Sequence, residues 1–295
     1  MDVADGEELT VAAALAQARH HDDRIDLRVL LGHALERPLS WLLAHPEATI
    51  DGRARLLFES LWQRRRAGEP VAYLTGEREF HGLSLRITPA VLIPRPETEL
   101  LVDCALELLP AGKATRAADL GTGSGAIAVA LAFRRPLLQA VATDISSEAL
   151  EVAGDNARRL GVAGRCSFRH GAWLAALGRE RFDCLVSNPP YIAEHDAHLA
   201  QGDLRFEPRA ALAAGPDGLR DLHIIVAGAG AHLHAGGHLL LEHGHDQAAA
   251  VRTAMQATGF SLVHSVRDLA GIERVTLGRW HVDHAHTADY ANRLS

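Results

Sequence analysis

Segment 186–192 (Val-Ser-Asn-Pro-Pro-Tyr-Ile) places one amide and one aromatic ring in a turn with few hydrogen-bond donors. Each proline fixes φ and lacks a backbone N–H, so carbonyl oxygens are left without competing donors. The Asn188 side-chain oxygen and the Pro189 carbonyl can then each accept one hydrogen of a planar NH₂ group, while Tyr191 packs on its flat face. The turn is suited to chemistry on an amide or amino nitrogen, although a turn that merely ends a strand has the same pattern.

A glycine-rich loop supplies a second candidate site. Residues 119–125 (Asp-Leu-Gly-Thr-Gly-Ser-Gly) follow a predicted strand and open a predicted helix. Glycines let the backbone approach a ligand, and the amino end of a helix adds free N–H donors. A second predicted strand ends in Asp144, 19 positions after Gly125. In nucleotide-binding α/β folds an acid at this place accepts the ribose hydroxyls, so the arrangement predicts a nucleotide-type ligand.

The spacing of the loop narrows the choice of ligand. It reads G-x-G-x-G, with Ala126 at the sixth position that the dinucleotide fingerprint also tolerates, and no G-K-[ST] follows as in a P-loop. Asp119, just before the glycines, disfavours a pyrophosphate and favours a ligand with positive charge. S-adenosylmethionine carries an ammonium, a sulfonium and an adenosine that Asp144 would hold.

The elements that must position these residues alternate after Lys113, which predicts a mainly parallel sheet covered by helices on both faces. The last two strands lack an intervening helix and are predicted to pair antiparallel at the sheet edge. The strand at 182–187 is expected beside the first strand, across the topological switch point where ligands bind. Predicted strands are 116–120, 139–143, 165–169, 182–187, 237–242, 260–266 and 273–279, and predicted helices are 125–134, 147–160, 217–234 and 246–258.

The amino-terminal part has a different pattern. Residues 1–75 show apolar positions at helical spacing, as in Leu27, Leu30 and Leu31, which predicts a small helical domain. Residues 76–93 alternate around a glycine and predict a β-hairpin linker. The catalytic domain is predicted at 94–280, with Pro96 in the first turn of a helix, and 281–295 is expected to be a tail.

Composition excludes several classes of protein. The formal net charge is −7 and residues 64–66 form the only arginine run, which disfavours direct nucleic-acid binding. Three scattered cysteines fit a reducing cytoplasm, and no apolar run approaches the ~20 residues of a membrane helix. We expect a cytoplasmic protein without a signal peptide, membrane contact or metal site, because the histidines lack an H-E-x-x-H pattern and His281, His284 and His286 lie in a polar tail.

These motifs together resemble the HemK/PrmC family of protein-glutamine N5-methyltransferases, which modify class I peptide chain release factors. The resemblance runs to about Trp280. The Asn-Pro-Pro-Tyr motif alone is shared with enzymes that methylate amino groups of DNA and RNA, whereas its combination with Pro-Arg-Pro-Glu-Thr-Glu is more specific. The matching segments are EPVAYLTGEREFHGL (69–83), VLIPRPETELLVD (91–103), DLGTGSGAIAVALA (119–132), ATDISSEAL (142–150), FDCLVSNPPYI (182–192), FEPRAAL (206–212) and RDLAGIERVTLGR (267–279).

The resemblance implies a seven-stranded, Rossmann-like S-adenosylmethionine-dependent methyltransferase domain, preceded by a helical domain that docks the release factor. The acceptor would be the glutamine of a Gly-Gly-Gln loop. Implied catalytic residues are Asn188, Pro189 and Tyr191, and Pro190 completes the substrate site. Implied cofactor-binding residues are Gly121, Thr122, Gly123, Ser124, Gly125, Asp144, Trp173 and Asn188.

One position departs from the family, because Ala172 stands where an aspartate often precedes the tryptophan. Backbone or water would then have to hold the adenine amine.

Two other substrates stay open at this point. A ribosomal-protein glutamine methyltransferase would share most of the core, although the Arg95–Glu99 segment favours the release-factor group. A DNA or RNA amino-methyltransferase would need a recognition domain or basic patch that this sequence lacks.

Overall fold

The computed structural model describes residues 9–18 and 21–281 of the 295-residue chain. The chain divides into two compact units, Met1–Glu77 and Arg78–Ser295. Of the tail predicted at 281–295, all but His281 lies outside the described residues, and so do His284 and His286. Within the described ranges, no helix is both long and apolar enough to cross a membrane.

The first unit is helical. Leu27, Leu30 and Leu31 lie on one face of its second helix and are fully buried, as their spacing predicts. They pack with Phe58 and Leu61 of the fourth helix, so the periodicity of the sequence builds the core of this unit. The helices are α1 (Val11–Leu15), α2 (His21–Leu35), α3 (Leu39–Ala44), α4 (Gly52–Arg66) and α5 (Val71–Thr75).

Helix α4 carries the arginine run at its carboxyl end. Asp51 caps its amino end by accepting hydrogen bonds from the backbone N–H groups of Arg53 and Ala54, both at 2.9 Å. Residues 64–66 form its last turn, where positive charge is favourable. Arg64 and Arg65 form ion pairs with Glu69 and Asp26, so part of the positive charge is neutralised within the unit.

A hairpin follows, formed by β1 (Glu77–Phe80) and β2 (Leu83–Arg86). The two turn residues, His81 and Gly82, both have positive φ, as a two-residue hairpin turn of type I′ requires. Helix α6 (Glu97–Leu108) holds this turn, because Glu99 accepts a hydrogen bond from the backbone N–H of His81 at 2.9 Å. Pro96 directly precedes α6, consistent with the predicted helix start.

The second unit is built on a seven-stranded sheet of order β5-β4-β3-β6-β7-β9-β8. Pairing is parallel from β5 to β7 and antiparallel for β7–β9 and β9–β8, with β8 at the edge as predicted. The order reverses between β3 and β6, which confirms the predicted switch point. The strands are β3 (Thr115–Leu120), β4 (Leu138–Asp144), β5 (Cys166–His170), β6 (Phe182–Ser187), β7 (Leu233–Glu242), β8 (Phe260–Arg267) and β9 (Glu273–Trp280).

Helices α7 (Ala126–Arg134), α8 (Ser147–Arg159), α9 (Arg220–Ala229) and α10 (Ala248–Thr258) accompany this sheet. Alternate residues of the central strands, such as Leu120, Leu185 and Leu239, form one core with apolar residues of α9 and α10. The alternation follows from the two-residue period of a strand. The doubly wound α/β class predicted from the sequence is therefore confirmed.

Two neighbouring predicted elements are wrong in their bounds. The helix expected at 217–234 is only α9, followed by a short 3-10 turn at Gly230–His232, and β7 begins four residues earlier than predicted. The pairing of β6 with β7 shifts register between Phe182 and Cys184, which brings Leu233 into the sheet. Gly237 permits this approach, since a Cβ there would lie 3.0–3.1 Å from three carbonyl oxygens. The other bounds after Lys113 agree to within two residues.

Candidate active site

Three neighbouring strands bring the predicted functional segments to one edge of the sheet. The glycine loop follows β3, Asp144 ends β4, and Asn188 directly follows β6. Ser187 donates a hydrogen bond from Oγ to the carbonyl of Leu120 at 2.6 Å, which ties the end of β6 to the start of the loop. The carboxyl ends of parallel strands at a switch point form a crevice, so these residues surround one site.

The three loop glycines serve different needs. All have positive φ, +74° at Gly121, +54° at Gly123 and +80° at Gly125. A Cβ on Gly121 would lie 2.7 Å from the Trp173 ring, and one on Gly125 would lie 2.9 Å from the Cβ of Ala153 in α8. A Cβ on Gly123 would meet no described atom within 4 Å. Gly123 is therefore the glycine that leaves open space for a ligand.

The amides of this loop are largely committed to β4. The backbone N–H groups of Gly121 and Thr122 both donate to the carbonyl of Thr143 at 2.9 Å. The N–H of Gly123 donates to Oδ2 of Asp144 at 2.9 Å. A pyrophosphate cradle needs such amides free, so this loop is organised for a different ligand. Ser124 is held through its carbonyl, which accepts a hydrogen bond from the buried Asn156 side chain.

Asp119 is a buried acid beneath the loop, and hydrogen bonds reach only one of its two carboxylate oxygens. Its Oδ2 accepts hydrogen bonds from Thr122 Oγ1 at 2.7 Å and from the N–H of Ala128 at 3.1 Å. Its Oδ1 has no partner among the described residues. Burial raises the pKa of Asp119 to about 6, although the hydrogen bonds from Thr122 and Ala128 oppose the rise. A cationic ligand above the loop would favour the ionised form.

Asp144 and Trp173 lie on the other side of the loop. Asp144 accepts through Oδ1 from the N–H of Ser146 at 2.9 Å and through Oδ2 from Gly123, which leaves further lone pairs for ribose hydroxyls. Trp173 has a positive φ of 47°, uncommon for an aromatic residue, and its carbonyl accepts from Thr143 Oγ1. This backbone conformation presses the ring against Gly121. Ala172, just before it, is exposed and carries no polar side chain.

Asn188 is oriented by a threonine that the sequence analysis did not single out. Its Nδ2 donates to Oγ1 of Thr98 at 3.0 Å, and Thr98 is buried in the first turn of α6. This bond commits the Asn188 amino group to the protein and leaves Oδ1 as an acceptor. Pro189 and Pro190, next in the chain, are buried and offer no N–H.

Tyr191 is fixed at both ends. Its hydroxyl donates to Oε1 of Glu242 at 3.4 Å, and its carbonyl accepts from Gln247 Nε2 at 3.0 Å. Gly218 has a φ of +74°, and a Cβ there would lie 2.1 Å from the Tyr191 carbonyl oxygen. Burial and the nearby Glu242 carboxyl raise the pKa of Tyr191, so the ring stays neutral.

Two family models and several known proteins match this chain. Residues 10–76 match the family model of the PrmC N-terminal domain, and residues 97–211 match that of the methyltransferase small domain. The chain is 50% identical over 267 residues to the release factor glutamine methyltransferase of Xylella fastidiosa (strain Temecula1), covering 90% of this chain and 97% of that protein. It is 52% identical over 256 residues to the one of Bordetella pertussis, covering 86% and 94%.

The chain belongs to the release factor glutamine methyltransferase family. Its resemblance to the HemK/PrmC group is thereby confirmed. A solved methyltransferase from Pyrococcus furiosus shares the fold of this family member, with a TM-score of 0.53 at 17% identity over 76% of this chain and 100% of that chain. The relatives cover both the helical unit and the sheet, so the family assignment applies to nearly the whole length of this methyltransferase.

Four residues of this methyltransferase were missed from the sequence: Thr98, Asn156, Glu242 and Gln247. Glu242 had a signal, because an acid that ends the apolar run Leu239–Leu241 lies at the carboxyl edge of a parallel sheet. Thr98 lies within the Pro-Arg-Pro-Glu-Thr-Glu segment that carries the resemblance. The sequence gives no signal for Asn156 or Gln247, because a polar residue on a helix or in a turn is ordinary until its buried partner is known.

Proposed function

We propose that this protein transfers the methyl group of S-adenosyl-L-methionine to the side-chain nitrogen (N5) of the glutamine in the Gly-Gly-Gln motif of class I peptide chain release factors. Family membership supports the reaction. One observation carries the assignment of the acceptor site: the Asn188 amino group is committed to Thr98, which leaves Oδ1 to accept a hydrogen from a planar NH₂ group.

The residues at the loop fit the cofactor. Asp119 has an unpartnered buried oxygen suited to a cationic ligand, Gly123 borders open space, and Asp144 has lone pairs for ribose hydroxyls. Trp173 offers an aromatic face toward an adenine, and Thr122 and Ser124 complete the loop between Gly121 and Gly125. When bound, S-adenosylmethionine supplies an electrophilic methyl group on a sulfonium.

The acceptor site works by orientation. The Asn188 Oδ1 and the Pro189 carbonyl each accept one amide hydrogen of the substrate glutamine, which turns its nitrogen lone pair out of conjugation. Tyr191 forms a wall against the flat amide, and Pro190 keeps the turn rigid. No strong base is needed before the attack, because the methylated nitrogen loses its proton readily afterwards. Positioning and electrostatic complementarity therefore account for the catalysis.

We further assign residues 1–75 to docking of the release factor, 76–93 to a linker and 94–280 to catalysis. The first unit contains a groove of about 830 Å³, lined by charged residues of α2 and α4 and by apolar side chains that include Ile25, Val29, Leu39 and Leu57. Ile25 is 54% exposed and Leu39 48% exposed, so the groove presents several large apolar side chains together, as interaction sites do. Residues 10–76 match the PrmC N-terminal domain, and the relatives named release factor glutamine methyltransferases support the release factor as the occupant.

A labelling experiment tests the function. Purified protein, S-adenosylmethionine with a labelled methyl group and a class I release factor are incubated, and the labelled peptide is located by mass spectrometry. We expect label at one glutamine, and a release factor with that glutamine changed to alanine should stay unlabelled. Label in a ribosomal protein or in a nucleic acid, with none in the release factor, would refute the proposal in favour of the corresponding substrate.

A further inference from the structure

Arg95 and Glu207 form a buried ion pair that the proposed chemistry does not use. The Nη2 of Arg95 donates to Oε1 of Glu207 at 2.5 Å. The Glu207 side chain is fully buried, whereas that of Arg95 is 28% exposed. Oε2 of Glu207 has no hydrogen-bond partner among the described residues, so the Arg95 guanidinium is the group that compensates this carboxylate. The pair joins two of the segments that carry the family resemblance, 91–103 and 206–212.

Arg95 is held on a rigid support beside the start of α6. It lies between Pro94 and Pro96, and prolines on both sides restrict the backbone there. The carbonyl of Arg95 accepts a hydrogen bond from the N–H of Thr98 at 3.1 Å. Thr98 in turn accepts the hydrogen bond from the Asn188 side chain at 3.0 Å. Arg95 is therefore fixed relative to the residue that orients Asn188.

A long loop, residues 192–215, begins directly after Tyr191 and contains the acid of this ion pair. Its two ends meet in a neck of backbone hydrogen bonds. The N–H of Ile192 donates to the carbonyl of Leu212 at 3.0 Å, and the N–H of Ala214 donates to the carbonyl of Ile192 at 2.9 Å. The neck fixes where the 192–215 loop starts and ends, so contacts farther along have to fix its middle.

Two bridges thus join the start of α6 to the chain that follows β6. Asn188 reaches Thr98 at the near end, and Glu207 reaches Arg95 from the middle of the loop. We propose that Arg95 is a positioning residue for the acceptor site, which holds the 192–215 loop through Glu207 and so keeps the adjoining Asn-Pro-Pro-Tyr turn in place. The inference rests on the proposed function, since that function makes the turn the acceptor site. In this role Arg95 acts through Glu207 and not through contact with either substrate.

The two partners of the ion pair should differ in what their loss does. The carboxylate of Glu207 cannot stay buried without Arg95, because an unpaired charge in the interior is strongly unfavourable. Loss of Arg95 should therefore draw Glu207 toward water and move the middle of the loop with it. Arg95 is partly exposed and can be hydrated, so loss of Glu207 should disturb the loop less. Removal of Glu207 should consequently relieve the defect caused by loss of Arg95.

Hydrogen exchange of the full chain, followed by mass spectrometry, tests the attachment without any substrate. In Arg95→Met, the hydrogen-bonded amides of the 192–215 loop should exchange at least about tenfold faster than in the wild type, while those of β3 and α7 keep their rates. The double variant Arg95→Met and Glu207→Met should return the loop to within about threefold of the wild type, because an apolar pair replaces the buried charge. Arg252→Met is the matched control, since Arg252 is 30% exposed and pairs with Glu273 at 3.1 Å.

Methylation kinetics with the release factor test the effect on the site. In Arg95→Met, kcat should fall by about tenfold to 100-fold, as misplacement of a positioned group costs. The Kd of S-adenosylhomocysteine should change less than about twofold, because Asp144, Trp173 and the glycine loop are untouched. The double variant should recover most of kcat, and Arg252→Met should match the wild type. Recovery on removal of Glu207 separates positioning from a direct contact between Arg95 and a substrate, which a second loss would not restore.

The two measurements can fail separately. If the wild type methylated no release factor, the proposed function would fail, and the exchange rates would still decide whether Arg95 holds the loop. Loop amides that exchange at the wild-type rate in Arg95→Met would overturn the inference, and so would faster exchange with an unchanged kcat. If Arg95→Met does not fold, the double variant decides, because it should fold and exchange like the wild type. A double variant that also fails to fold would refute the role of Glu207.

Discussion

Asn188 shows how a single residue gains its role from its partners. An asparagine amide can present either its oxygen or its NH₂ group, and the two orientations have nearly the same shape. The bond from Nδ2 to Thr98 selects one of them. The two prolines that follow remove backbone donors from the same turn. The proposed acceptor property of the site therefore depends on four residues and not on the asparagine alone.

At this scale we predict the effect of Asn188→Ala. The variant loses one of two acceptors for the substrate amide, so single-turnover methyl transfer should slow by about 100-fold to 1,000-fold, as for loss of one oriented group in other sites. Equilibrium binding of S-adenosylhomocysteine should change far less, since the loop, Asp144 and Trp173 remain. Gln201→Ala, which removes an exposed amide, serves as the control. Unchanged transfer by Asn188→Ala would show that the hydrogen-bond mechanism is wrong.

At the scale of elements, the proposed acceptor site is assembled from the ends of several segments. Strand β6 delivers Asn188, the first turn of α6 delivers Thr98, and the end of β7 delivers Glu242. Gln247, just before α10, holds the Tyr191 carbonyl. Rigid elements define these positions better than loops would, which suits a site that acts by orientation.

The groove of the first unit gives a prediction for an element. Leu57 on α4 lines the groove, whereas its neighbour Leu56 does not and is 70% exposed. Leu57→Ser should raise KM for the release factor by about tenfold to 100-fold, because burial of a leucine at an interface contributes on the order of 1.5–3 kcal/mol. Affinity for the cofactor should stay the same.

Leu56→Ser makes the same chemical change one residue away and should leave KM unaltered. Circular dichroism melting of both variants shows whether α4 stays folded. Equal KM values for the two variants, with both folded, would remove the groove from the docking surface.

At the scale of the whole molecule, stability and function make opposite demands on the buried acids. Asp119 and Glu242 are buried with raised pKa values of about 6 and about 7. The native state holds their protons more tightly than the unfolded chain does. Each acid therefore stabilises the fold below its unfolded pKa, and this contribution is lost as the pH rises through its folded pKa. Near neutral pH the protein keeps two costly carboxyls at its site.

The raised pKa of Glu242 predicts how the stability of Glu242→Gln depends on pH. The pKa of Glu242 rises on folding from 4.5 to about 7, which corresponds to about 3 kcal/mol. Denaturant unfolding should show similar stability for wild type and variant at pH 4, with the variant about 3 kcal/mol more stable at pH 8. Glu151→Gln, the same change at an exposed site on α8, should track the wild type throughout. A constant gap across this range would mean that Glu242 is not buried as an acid.

Much of the fold could be predicted from local patterns in the sequence. Strand and helix order, the helical first unit and the antiparallel edge pair came from periodicity and turn residues, which report local geometry directly. The bounds of α9 and β7 did not follow. They depend on a register shift between β6 and β7 and on glycines that admit a neighbouring backbone, both of which are set by distant parts of the chain.

For the site, the sequence by itself determined which chemical groups are present: the glycine loop, Asp144, Trp173 and the Asn-Pro-Pro-Tyr turn, together with the family. Only the tertiary structure decided that Thr98, 90 residues from Asn188, takes its amino group, and that Glu242 lies against Tyr191. A hydrogen bond needs a partner within about 3.5 Å at a suitable angle. Sequence order does not specify which donors and acceptors meet at that distance, whereas the pairing of β6 with β7 and the packing of α6 against these strands do.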